Sequence, residues 1–310
     1  MKSLRLVKAE TNINFVKFRY VALIFSLLLM VGSIGLFGVK GLNFGIDFKG
    51  GTLIEIGTPG PADLSDLRTR LGGLDIGEVQ IQEFGSPDDV LIRVGEKAGI
   101  TDNSENLSAV DKIRAELGAG VEFRRVEVVG PQISDELVTK GVRAVTIAIG
   151  LMLIYIWFRF EWQFSIGAIV ALIHDIVLTI GVFSLLQLEF GLSIIAALLT
   201  IVGYSMNDTV VVYDRVRENL RKFKKMDLVD LFNLSINNTL SRTVMTSLTT
   251  LLALFSLYFL GGEVIRGFTF AMIWGVIVGT YSSIFIAGPV LLYLGVKRDW
   301  SENSEQKNSP

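Results

Sequence analysis

His174, Asp175, Asp208 and Arg242 stand inside or at the edge of long apolar stretches, the first two in Phe164–Leu186, the third in Leu192–Tyr213 and the last just before Val244–Leu260. An ionisable side chain within a membrane-spanning helix costs ~2.5–3.5 kcal/mol on insertion scales, so each implies a water-filled path, a partner charge, or both. Two chemistries suit such residues. A buried carboxylate that takes up and releases a proton can couple an ion gradient to movement, or it can form a static ion pair. An imidazole, titrating ordinarily near ~6.5, can relay protons, and it can equally hold two helices together. For His174-Asp175 and for Asp208 both readings stand. A third chemistry is aspartyl proteolysis, in which Asp175 and Asp208 share a proton and activate water. An arginine beside one carboxylate opposes that state, and no substrate-cleaving motif accompanies the pair, so the chain reads as a non-enzyme. There is no cysteine and a single histidine. Thiolate and histidine-rich metal sites are therefore excluded, and neither metal nor cofactor is expected.

The neighbours of these residues are polar in a helical rhythm. Thr200, Tyr204 and Asp208 recur at four-residue spacing; Arg242, Thr246, Thr249 and Ala253 follow the pattern of one helical face. Such faces line a pore or pack against another helix through hydroxyl hydrogen bonds. Arg242 also fits a charged anchor at a helix start, but Asn237, Asn238, Thr239, Ser241, Thr243 and Ser247 surround it with more polarity than a lipid-facing entry needs. The final apolar stretch carries Gly267, Ala271, Gly275, Gly279, Ser283 and Ala287 every four residues. Small residues on one stripe let a second helix approach closely, so Gly275, Gly279 and Ser283 are read as packing positions.

The elements that hold these residues follow from hydropathy. The chain has 310 residues, half of them hydrophobic and 19% charged, with a net charge of -2, which indicates a membrane protein and gives no basis for nucleic-acid binding. A helix needs ~20 apolar residues to span the hydrocarbon layer. Six segments qualify: Tyr20–Val39, Val142–Phe158, Phe164–Leu186, Leu192–Tyr213, Val244–Leu260 and Phe268–Leu294. The first exceeds a signal-peptide core and lacks a small-x-small cleavage site, so it reads as retained. Lysine and arginine flank the ends that share a side with both termini, including Lys17, Arg19, Arg159 and the cluster Arg215 to Lys225. By the positive-inside rule both termini are cytoplasmic. The domain plan is then 1–19 cytoplasmic, 20–39 the first helix, 40–140 an extracytoplasmic domain, 141–296 helices two to six with a basic cytoplasmic segment near 214–241, and 297–310 a cytoplasmic tail. Within 40–140, apolar alternation over Thr52–Ile56, Val79–Phe84, Val90–Val94 and Val121–Val129 predicts strands, and Ala62–Leu71 and Leu107–Leu117 predict helices. The order β-α-β-β-α-β is that of the split βαβ, ferredoxin-like fold. Gly99–Asn106 reads as a loop, and the last ten residues as a polar, disordered tail. The expected fold class is a polytopic α-helical membrane protein with six spanning helices and one α+β domain between the first and second.

The stretches Gly45-Ile46-Asp47-Phe48-Lys49-Gly50-Gly51, Val129-Gly130-Pro131-Gln132-Ile133-Ser134, Phe158-Arg159-Phe160-Glu161-Trp162, Gly203 to Arg215, Ser241-Arg242-Thr243 and Gly279-Thr280-Tyr281-Ser282-Ser283 together resemble the SecD/SecF family, within the resistance-nodulation-division superfamily, and its SecF branch in particular. The resemblance runs in order from the first helix through the sixth. It implies a bacterial inner-membrane protein that pairs with SecD, attaches to the SecYEG channel, and uses the proton-motive force to help draw a preprotein out of the channel; YajC and YidC are further associates it suggests. It also implies that the family's intramembrane aspartate and arginine correspond to Asp208 and Arg242, with Arg242 favouring the carboxylate and solvent exclusion the neutral form. A passive scaffold for the translocase is the competing reading.

Overall fold

The computed structural model describes residues 11–95 and 103–296. Six helices in it are long and apolar enough to cross a membrane. They are α1 (Arg19–Lys40), α5 (Pro131–Arg159), α6 (Trp162–Leu186), α7 (Leu192–Lys222), α8 (Leu228–Leu260) and a last span made of α9 (Glu263–Ser282), a π-helical turn (Ser283–Ala287) and α10 (Gly288–Tyr293). Most begin or end beyond the apolar stretches, because hydropathy marks the part in lipid while the backbone ladder continues wherever one face stays covered. α7 and α8 run on in this way to a turn at residues 223–227. Val216 and Leu220 of α7 are buried with Leu231 and Phe232 of α8, and Asn219 Nδ2 donates to Ser235 Oγ at 2.9 Å. The basic segment is therefore the solvent end of two spanning helices. Arg242, expected just before a helix, lies well inside one. Asp227 caps α8 by accepting from Val229 N–H, and Pro131 opens α5 at a position whose N–H would have no helical partner.

The segment between α1 and α5 folds as a sheet with two helices. Strands β2 (Gly51–Gly57), β3 (Val79–Phe84), β4 (Ser86–Val94) and β5 (Glu122–Val129) lie in the order β3-β4-β2-β5, every neighbouring pair antiparallel. Helices α3 (Leu64–Gly72) and α4 (Asn103–Leu117) cover one face. Ile54, Ile56, Ile81 and Ile92 of the sheet pack there with Leu67, Leu71 and Ile113. Alternation puts Leu53 and Leu91 on the other face, where Ile46 joins them. Of the expected Gly99–Asn106 loop, 99–102 lie outside the described residues and Asn103–Asn106 belong to α4. The carboxy-terminal tail also lies outside them.

Two small elements join the sheet to the membrane bundle. A single-turn helix, α2 (Ile46–Lys49), leads into β2 through Gly50 and Gly51, at φ 71° and 118°. A Cβ on Gly51 would come within 2.3 Å of the Val94 carbonyl oxygen, so this entry into the sheet requires glycine. Strand β1 (Asn43–Phe44) pairs in parallel with β6 (Glu189–Phe190), which lies in the turn between α6 and α7. In the bundle α6, α7 and the last span are the most enclosed, whereas α1, α5 and α8 leave most of their apolar surface outward.

Candidate functional site

Asp175 and Asp208 sit on neighbouring helices, α6 and α7, and each carboxylate is held by hydroxyls from other helices. Asp175 is fully buried. Its Oδ2 accepts from Ser205 Oγ of α7 at 2.5 Å and from Ser282 Oγ of α9 at 2.8 Å. Its Oδ1 lies 2.9 Å from His174 Nδ1. Asp208 accepts from Thr243 Oγ1 of α8 at 2.5 Å on one oxygen and from Ser283 Oγ on the other. Consecutive residues, Ser282 and Ser283, thus serve carboxylates on two different helices. They do so where the helix changes pitch into the π-turn, just before Pro289, which has no N–H to give to the ladder.

The result is two adjoining polar clusters in the bundle, His174, Asp175, Ser205 and Ser282 in one and Asp208, Thr243 and Ser283 in the other. His174 is 1% exposed, its ring stacks on Tyr281, and its Nε2 has no hydrogen-bond partner among the described residues. Tyr281 in turn donates to the Ala22 carbonyl of α1 and lies 3.0 Å from Ser26 Oγ. A branch runs from Tyr204 OH to Ser247 Oγ at 3.2 Å and on to Thr280 Oγ1 at 2.7 Å. Hydroxyls that can both donate and accept are the parts from which a proton relay is made. They also satisfy buried carboxylates that would otherwise be costly.

Arg242 stands apart from both clusters. Its side chain is exposed, and among the described residues no ion pair joins it to Asp208. Thr200 and Thr249, expected on the same faces, are exposed and return their hydroxyls to carbonyls of their own helices. Thr200, Asn207, Arg242, Thr246 and Thr249 together leave polar atoms on the outside of α7 and α8, within the length of the spans. The small-residue stripe lies against α7: a Cβ on Gly275 would fall 2.3 Å from Ile201 Cγ1, and one on Gly279 would fall 3.0 Å from Ser205 Cβ. Ser283 belongs to both features. Ser205 and Ser282 are contributors that hydropathy could not single out. The two carboxylates are each engaged by their own hydroxyls, unlike a proton-sharing dyad, and no group of residues suited to a metal ion occurs among the described residues.

A family model described as protein export membrane protein SecD/SecF, C-terminal, matches residues 109–297, and one for the SecD/SecF GG motif matches residues 35–58. A protein translocase subunit SecF from Vibrio alginolyticus is 44% identical over 295 residues, covering 95% of this chain and 94% of its own length. One from Cereibacter sphaeroides is 46% identical over 302 residues, covering 95% and 93%. The crystal structure of SecDF, a translocon-associated membrane protein, from Thermus thermophilus is similar with a TM-score of 0.81 at 37% identity, over 93% of this chain and 39% of that one. SecDF in its super-membrane-facing form gives 0.68 at 38% identity, over 97% and 41%. The chain thus spans about two fifths of the SecDF chains it matches. Fold and site define a multi-spanning membrane protein with carboxylates embedded in a hydroxyl network at the centre of its bundle. The chain belongs to the SecD/SecF family of protein export membrane proteins, among its SecF subunits.

Proposed function

We propose that this chain works with SecD as a proton-driven subunit that assists late steps of preprotein translocation through SecYEG in the bacterial inner membrane. The observation that carries the reading is Asp208, a carboxylate inside the bundle held by Thr243 and Ser283, with the adjacent residue in the chain, Ser282, donating to Asp175 beside His174. A proton reaching Asp208 from one side and leaving to the other would change what its hydroxyl partners donate to, and so change the fit of three helices. One elementary charge moving down the membrane potential is worth ~2.3 kcal/mol per 100 mV, enough to bias two packings that differ by a few kcal/mol. Arg242 would act on Asp208 by its charge through space. SecD is the partner we assign to the polar outer face of α7 and α8, since lipid cannot satisfy Asn207 or Arg242. YajC and YidC are assigned as accessory neighbours. We read the βαββαβ segment as ferredoxin-like from its strand order and antiparallel pairing, and as extracytoplasmic, with both termini cytoplasmic, from the lysine and arginine distribution.

The second reading, a scaffold without proton conduction, draws on Asp175: three partners on one carboxylate is how a static junction is built. Asp208→Asn separates the two. Asparagine keeps the shape, and of Thr243 and Ser283 one can still donate to its amide oxygen while the other turns to accept from its NH2, but it does not titrate. In vesicles holding the assembled complex, proton flux and gradient-dependent export should fall to the level seen without the complex while assembly is unchanged. Undiminished flux in a stably assembled Asp208→Asn complex would leave the scaffold as the account.

A further inference from the structure

Helix α7, which carries Asp208, has Gly191 as its N-cap, and glycine brings no side chain to the free N–H groups of the first turn. The cap comes from another part of the chain. Asp47 Oδ2, in the single-turn helix α2 of the sheet segment, accepts from Leu192 N–H at 2.8 Å. A Cβ at Gly191 would come within 2.8 Å of that same oxygen, so the glycine makes room for the distant carboxylate. The carboxylate also sits at the positive end of the α7 dipole.

Asp47 is fixed from its other side as well. Its carbonyl accepts from Ser134 Oγ in the first turn of α5 at 3.2 Å. Gly45 N–H donates to the Phe190 carbonyl at 3.0 Å, continuing the β1 and β6 pairing. Arg93 of β4 reaches Glu189 in the same turn at 2.6 Å, and the rings of Phe44, Phe48 and Phe190 meet around it. The sheet therefore hangs on the first residues of α7. From Leu192 to Asp208 a rigid helix runs about 24 Å at 1.5 Å per residue, so displacement at one end reaches the other without any further part.

We propose that Asp47 is the positioning residue that ties the sheet to α7, so that a shift of α7 set by Asp208 moves the sheet. The proposal rests on the proton-coupling reading of Asp208, and its loss should uncouple rather than block. The test uses the full chain assembled with SecD in vesicles and follows proton flux and preprotein export together. Asp47→Ala should keep proton flux within about twofold of the parent and lower export at least about fivefold. Asp47→Asn, whose amide oxygen can still accept from Leu192 N–H, should restore export to within about twofold, because asparagine caps a helix about as well as aspartate. Flux and export falling in proportion, or neither changing, would overturn the proposal. A second measurement does not depend on protons: nitroxide labels at Thr69 in α3 and Leu260 at the end of α8 report the spread of sheet-to-bundle distances. That distribution should broaden in Asp47→Ala and return in Asp47→Asn. An unchanged distribution sinks the clasp, whereas absent Asp208-dependent flux in the parent sinks the proton reading and leaves the clasp to be judged by the labels.

Discussion

Around Asp208, two hydroxyls from two helices converge on one carboxylate that lies 8% exposed. Hydrogen bonds to a charged group contribute ~1.5–3 kcal/mol each, so the release of a proton there, which leaves the charged carboxylate behind, depends on both donors. Thr243→Val preserves shape and removes one of them. The variant should assemble, lose on the order of 1–3 kcal/mol of stability by the same accounting, and conduct protons at least several-fold more slowly per complex. Ser256→Ala, which deletes a hydroxyl that donates to Leu252 on an exposed face of α8, serves as the comparison and should change neither. Equal flux from the two variants would show that Thr243 only packs. The charged members of this site were legible in the sequence because lipid makes a carboxylate or imidazole conspicuous. Ser205 and Ser282 were not. A serine or threonine in a spanning helix costs little, and most return their hydroxyl to the preceding turn, as Thr146, Thr200 and Thr249 do. No hydropathy pattern announces that Ser282 and Ser283, successive residues where α9 meets the π-turn, reach carboxylates on two different helices.

Between elements, the last span packs tightly against α7. Gly275 faces Ile201 so tightly that a single added methyl would lie 2.3 Å from Ile201 Cγ1, and the side-chain branch it meets belongs to a buried residue. Overpacking of a filled site costs typically ~1–3 kcal/mol. Gly275→Ala should thus lower the melting temperature of the purified chain and Gly275→Leu should lower it further or prevent assembly, whereas Gly32→Ala, whose Cβ meets nothing within 4 Å, should leave it unchanged. Indistinguishable melting of the Gly275 and Gly32 variants would mean that this contact opens freely. The four-residue spacing of small side chains had announced a close neighbour without saying which helix it was. Alternation likewise located all four strands of the larger sheet, since each has a covered face. It missed β1 and β6, at two residues apiece too short to show any period, and α2, a single turn whose start at Gly45 and exit through Gly50 and Gly51 look like loop chemistry. Those short pieces are the ones that join the sheet to the bundle.

For the whole molecule, the structure reduces topology to one binary choice. Arg159 Nη2 reaches Asp214 Oδ1 at 2.9 Å, so the α5–α6 turn and the solvent end of α7 share one end of the bundle. At the other end, Arg93 and the β1–β6 pairing hold the sheet against the turn before α7. Lysine and arginine crowd the first of these ends, and they are retained in the cytoplasm during insertion. The sheet segment should then face away from the cytoplasm, where an exported chain would emerge. The chain contains no cysteine, so single cysteines report position without background. Ser108 in α4 and Lys225 in the α7–α8 turn are both exposed. With an impermeant thiol reagent on intact spheroplasts, Ser108→Cys should be labelled fully and Lys225→Cys only after lysis, since the reagent crosses no intact inner membrane. The reverse pattern would invert the molecule and place the sheet on the side from which preproteins depart. A proton-driven pull on the emerging chain would then lack a handle, even if Asp208 conducted.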